Sequence, residues 1–82
     1  MEKSICAQDY KTLLKLLRET REAAGLTQID LAKKIGENQS FVSKCERGER
    51  RIDIIEWIKF CKAIGIKPED FLEKLEKSLA ED

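Results

Sequence analysis

Apolar residues recur along this chain at three- and four-residue steps, in runs punctuated by glycines and by residues suited to capping. The first run spans Tyr10 to Ala24. Leu13, Leu17, Thr20 and Ala24 share one helical stripe, and Leu14 and Leu16 widen it. Gly25 stops it, as a residue able to take the left-handed C-cap conformation. A second, short helix follows Thr27, a good N-cap, with Leu31, Ala32 and Ile35 on one side and Gly36 at its end. Asn38 can cap a third, from Gln39 to about Arg47, whose apolar positions are Phe41, Val42 and Cys45; Gly48 ends it.

The fourth helix opens at Asp53, with Glu56 three residues on as the second half of a capping box. Its stripe is Ile54, Trp57, Ile58, Cys61 and Ile64, up to Gly65. Pro68 suits the first position of the fifth helix, and Glu69 and Asp70 match the helix dipole there. Phe71, Leu72, Leu75 and Leu79 are its apolar side. No alternating stretch is long enough for a strand, so the pattern predicts an all-α, compact five-helix bundle.

Eighty-two residues leave room for one core. The expected organisation is a flexible N-terminal segment over 1–9 and a single domain over 10–79. No run of 18 apolar residues is present and the start MEKSICAQDY lacks a signal-peptide apolar region, so no membrane contact and a cytoplasmic location are expected. Cys6, Cys45 and Cys61 form no CxxC pair, and the chain has no histidine. Cys45 and Cys61 therefore read as small core residues and Cys6 as a free thiol, with no metal site and no disulfide framework.

Sixteen basic and sixteen acidic residues cancel, which argues against a binder that works by bulk charge. The distribution is uneven, however. Residues 33–51 carry Lys33, Lys34, Lys44, Arg47, Arg50 and Arg51 against three glutamates, whereas residues 69–82 carry six acids against Lys74 and Lys77. A basic face opposed by an acidic last helix is consistent with this.

The informative stretch is TQIDLAKKIGENQSFVSKCERGER, Thr27 to Arg50. It describes two helices of about two turns joined through Gly36 and the Asn38 cap. Ala32 supplies the small contact that lets them cross steeply, and Gly36 the positive backbone angle of a tight turn. The third helix then projects Gln39, Ser40, Ser43, Lys44 and Arg47 outward. These are either ordinary solvated residues or side chains for a DNA major groove, where Gln pairs bidentately with adenine, Ser bonds several bases and Lys reaches guanine or phosphate.

Leu26-Thr27-Gln28, Leu31-Ala32, Gly36, Gln39-Ser40, Val42-Ser43-Lys44 and Glu46-Arg47-Gly48 stand in ungapped register. In this the chain resembles the phage-repressor (Cro-like, XRE) helix-turn-helix family, over about residues 10–75. The resemblance implies a lambda-repressor-like domain that binds double-stranded DNA, usually as a homodimer on a palindromic operator about one helical turn, ~34 Å, between half-sites. It implies that Gln28 touches phosphate and braces Gln39, that Gln39, Ser40, Ser43 and Lys44 face base edges, and that Arg47 and Arg50 lie near the backbone. It also implies an internal salt bridge between Arg21 and Glu46. The resulting candidate DNA-binding set is Gln28, Asn38, Gln39, Ser40, Phe41, Ser43, Lys44, Arg47, Arg50 and Arg51.

The sequence departs from the family pattern at several points. Glu37 replaces an apolar turn residue, which implies a turn less tightly packed. Glu49 replaces a basic residue and removes one phosphate contact. Ile29 takes a usually polar place, where it would be exposed. Phe41 replaces a small polar residue and either packs on thymine methyls or covers the bundle. For a dimer surface the candidates are Ile52, Ile55, Phe60, Leu75 and Leu79.

The function classes that fit are a small transcriptional regulator that represses from an operator, an antitoxin with a toxin partner, a restriction–modification controller, and an adaptor that binds protein only. An enzyme is disfavoured: no histidine, nucleophile–base pair or phosphate-binding glycine loop is present. With no effector domain, neither a cofactor nor a small-molecule ligand is expected.

Overall fold

The computed structural model describes residues 7–81. Five helices follow one another: α1 Ala7–Ala23, α2 Gln28–Ile35, α3 Gln39–Glu46, α4 Ile54–Ile64 and α5 Pro68–Ala80. Among the described residues there is no strand. The expected five helices are all present.

Caps fix most of the boundaries. The Thr27 hydroxyl accepts the Asp30 N–H at 3.0 Å, and the Asp30 carboxylate accepts the Thr27 N–H at 3.0 Å, so α2 begins in a complete capping box. Asp53 and Glu56 form the same reciprocal pair at the start of α4. The Asn38 side-chain Oδ1 accepts the Phe41 N–H at 2.9 Å and opens α3. Between α2 and α3, Gly36 has φ +75°, a conformation a side chain would strain, and the Glu37 N–H reaches back to the Ala32 carbonyl at 2.9 Å. Backbone hydrogen bonds thus close this turn, while the Glu37 side chain is exposed.

α2 packs on α3 and α4, and α1 on α3 and α5. Leu17, Leu31, Ala32, Val42, Cys45, Phe60, Cys61, Ile64 and Phe71 make the core they enclose. Each fully buried large apolar side chain contributes about 1.5–3 kcal/mol. Helices of eight residues such as α2 and α3 do not persist alone in water, so this burial is what holds them. Burial pushes the Cys61 thiol up to about 11 and raises that of Cys45 as well. Both behave as the apolar core residues expected, and Cys6 lies outside the described residues.

Four expectations shift. Positions 7–9 of the expected flexible segment lie in α1, and positions 1–6 lie outside the described residues. The buried residues of α1 are Leu14, Leu17 and Arg21, with Leu13 and Leu16 partly buried against the core, whereas Ala24 is exposed and beyond the helix end. On α4, Phe60 is 1% exposed and belongs to the core, which removes it from the candidate dimer surface. Ile54, expected in the core stripe, is instead 66% exposed. Position 54 is the first residue of α4, where its side chain lines an open concavity with Trp57 and Leu72 instead of entering the core.

Candidate nucleic-acid interface

Viewed down α3, the side chains of Gln39, Ser40, Ser43, Lys44 and Arg47 fall within about 140° of arc at about 3.6 residues per turn. Val42 and Cys45, both fully buried, occupy the opposite side. Burial of that apolar side therefore dictates which residues remain for solvent. Gln39, Ser40, Lys44 and Arg47 are exposed and Ser43 is half-buried. The structure brings these five together on one polar face, as expected.

The edge of this face is tied to the interior. Glu46 lies between it and the core, its side chain 4% exposed against 7% for Arg21. Arg21 Nε donates to Glu46 Oε2 at 2.6 Å and its Nη2 to Oε1 at 3.1 Å, while its Nη1 reaches the Leu26 carbonyl at 2.7 Å. Glu46 Oε1 also accepts from Gln28 Nε2 at 2.9 Å. Gln28 Oε1 in turn accepts from Gln39 Nε2 at 3.3 Å. The ion pair is where the family resemblance implied it, and so is the brace between Gln28 and Gln39. A continuous run, Arg21–Glu46–Gln28–Gln39, orients the first outward amide of α3 from a buried charge pair.

The remaining candidates sit elsewhere. Asn38 is the α3 cap. Phe41 is half-buried with its ring centroid 6.4 Å from that of Phe60, so the ring covers the bundle. Arg50 stacks over Phe41 at 4.6 Å and pairs with Glu56 through two contacts of 3.0 and 2.9 Å. Arg51 lies over the Tyr10 ring at 4.3 Å, and the Tyr10 hydroxyl accepts the Ile52 N–H at 3.0 Å. Arg50 and Arg51 therefore fasten the loop between α3 and α4 onto α4 and α1 rather than joining the α3 face. Ile29 is 50% exposed on α2, as its departure from the pattern suggested.

Arg47 remains on the polar face but is held there. Its Nε and Nη2 donate to both Glu49 oxygens at 2.9 and 3.1 Å, and it also bonds the Ser43 hydroxyl. Hydrogen bonds from Arg47 keep the Glu49 carboxyl below the usual carboxylate range. Glu49 thus does more than omit a phosphate contact: it occupies the guanidinium next to it. Lys44 is exposed and has no ion pair among the described residues.

Sequence reasoning did not single out Lys11, Lys15 and Arg18. All three are exposed on α1 and line an open concavity with Leu14, Glu46 and Arg47. Their spacing of four and three residues is a visible signal in the sequence, diluted by Glu19 and Glu22 on the same helix.

Residues 17–71 match a protein family described as helix-turn-helix. Among solved structures, the chain is similar to an XRE-family like protein from Pseudomonas syringae pv. tomato str. DC3000, with 52% identity, 89% of each chain covered and a TM-score of 0.84. It is also similar to the wild-type restriction-modification controller protein C.Esp1396I, at 24% identity and a TM-score of 0.85, covering 98% of this chain and 100% of that one. The C.Esp1396I tetramer in complex with its natural 35 base-pair operator gives a TM-score of 0.82 at 24% identity, over 95% and 99% of the two chains. At that identity the two controller structures share the fold. No curated protein matches the chain.

Proposed function

The chain belongs to the XRE-type helix-turn-helix family, and on that premise we propose that it is a small transcriptional regulator that binds double-stranded DNA with α3 in the major groove. The observation that carries this reading is the braced polar face. Gln39 is oriented by Gln28, and Ser40, Ser43 and Lys44 stand beside it on a helix whose other side is core. Gln39 is suited to adenine, the serines to several bases and Lys44 to guanine or phosphate. Arg47, exposed just past α3, supplies contacts to the sugar-phosphate strands, which position rather than specify. Gln28, half-buried and bonded to Glu46 and Gln39, acts mainly as the brace.

An eight-residue reading helix covers only a few base pairs, so the regulator works as a homodimer on a palindromic operator. Ile54 and Leu72, exposed by 66% and 46%, line one apolar concavity between α4 and α5. With Ile55, next along α4 and 59% exposed, they support this as the surface joining two copies. Occupying the operator represses the adjacent promoter. The role is one of binding rather than catalysis, and it places the chain in the cytoplasm with its DNA. No helix among the described residues is long and apolar enough to cross a membrane.

The experiment is selection of bound sequences from a random duplex pool at two salt concentrations. Enrichment of a palindromic motif, weaker at higher salt, supports the regulator. Failure to enrich any sequence at low salt contradicts it and leaves the protein-only adaptor.

A further inference from the structure

The concavity between α1 and the end of α3 is not used by the reading helix. Its floor holds Leu14 and Glu46, and the Glu46 carboxylate is already satisfied by Arg21 and Gln28. Its walls are Lys11, Lys15 and Arg18 from α1 and Arg47 from just past α3. Lys11 and Lys15 have no ion pair among the described residues, whereas Arg18 is bonded to Glu22 at 3.2 Å. Residues four apart on a helix stack one above the other, so the two lysines form one edge about 6 Å long, parallel to the α1 axis. Arg47 belongs to both surfaces: it closes the polar face of α3 and lines this concavity.

On the far side of the lysines, a second hollow is lined by Lys11 and Lys15 together with Glu19 and Glu81. The basic surface therefore ends there, and a polyanion lying along it is confined to the Arg47 side.

We infer that Lys11 and Lys15 of α1 form, with Arg47, a clamp on the sugar-phosphate backbone that borders the groove read by α3. This rests on the DNA-binding reading above and extends it to a helix outside the helix-turn-helix pair. A duplex with α3 in its major groove carries a phosphate strand past the exit of α3, where Arg47 stands. The α1 lysines lie next along that path. They add affinity and salt dependence but no sequence preference, because they meet no base edge. In a chain of zero net charge, such a local cation pair adds to a border where Arg50 is tied to Glu56 and Arg47 is shared with Glu49.

The test compares the full chain with the Lys11→Gln/Lys15→Gln variant, on the duplex that the wild type enriches. A Lys74→Gln/Lys77→Gln variant on α5 makes the same change in net charge. The α1 variant is expected to lower the slope of log affinity against log salt by about 0.9 for each lysine in each subunit, with the enriched sequence unchanged. The α5 variant is expected to leave the slope as it is. An unchanged slope in the α1 variant, or an equal fall in both, overturns the clamp while the regulator reading stands. A wild-type chain that binds no duplex overturns both.

Discussion

Arg21 and Glu46, 25 positions apart, meet through hydrogen bonds of 2.6 and 3.1 Å with both side chains almost wholly buried. The pair joins α1 to the end of α3, and through Gln28 it reaches Gln39. Position 21 follows the core stripe of α1, so a charge replaces an apolar residue there and the core accepts it only because Glu46 arrives from α3. The ion pair therefore serves structure first and recognition through structure.

Removing one partner leaves the other buried without compensation, a loss of about 3–5 kcal/mol. Arg21→Ala is expected to destabilise the isolated protein by that order, measured by chemical denaturation without DNA. Unchanged stability together with abolished DNA binding would show the pair to be a DNA contact instead.

Glu49 holds the Arg47 guanidinium at 2.9 and 3.1 Å. Glu49→Gln removes that competitor for phosphate. Binding to any duplex is expected to strengthen several-fold, with a salt slope steeper by about 1 per subunit. Titrations at three salt concentrations read this directly, and weaker binding in the variant would place Glu49 in the opposite role.

The apolar α4–α5 face is the dimer surface in this account. Ile55→Glu/Leu72→Glu alters two exposed residues, so helical signal is expected to hold, while the melting temperature loses the concentration dependence that dimerisation confers. Sedimentation should show a monomer, and operator affinity should fall by at least 100-fold. A variant that remains dimeric would move the interface elsewhere.

Asp30 and Glu56, the acidic halves of the two capping boxes, sit below their ordinary carboxyl values of 3.8 and 4.5. Hydrogen bonds with Thr27 hold Asp30 down, and hydrogen bonds from Arg50 and the Asp53 backbone hold Glu56 down. A carboxyl more acidic when folded stabilises the fold above its unfolded pKa, and that contribution is lost as pH falls through the folded value. The melting temperature is therefore expected to be flat from pH 7 to about 5 and to decline below that. The decline should be shallower in Asp30→Asn/Glu56→Gln. A melting temperature that rises on acidification contradicts the assignment.

Helix boundaries were legible because caps are local chemistry: Thr27, Asn38, Asp53, Pro68 and the glycines at 36 and 65 act within one turn of chain. The polar face of α3 was legible as well, since Val42 and Cys45 fix the buried side. Tertiary choices were not. Phe60 and Ile54 fit either side of an apolar α4, and only the approach of α2 and α5 selects Phe60 for the core. The arginines at 47, 50 and 51 looked alike in sequence, yet each is claimed by a different partner, Glu49, Glu56 or the Tyr10 ring. The basic edge of α1 was hidden for a related reason, because nothing local shows that it lies beside Arg47.

The central claim is that α3 reads bases through Gln39. Parallel selection from a random duplex pool with the wild type and Gln39→Ala tests it most directly. The expected result is a palindromic motif for the wild type and loss of preference, worth about 1–3 kcal/mol, at one base pair of each half-site in the variant. An identical motif from both proteins, or no motif from the wild type, would contradict it.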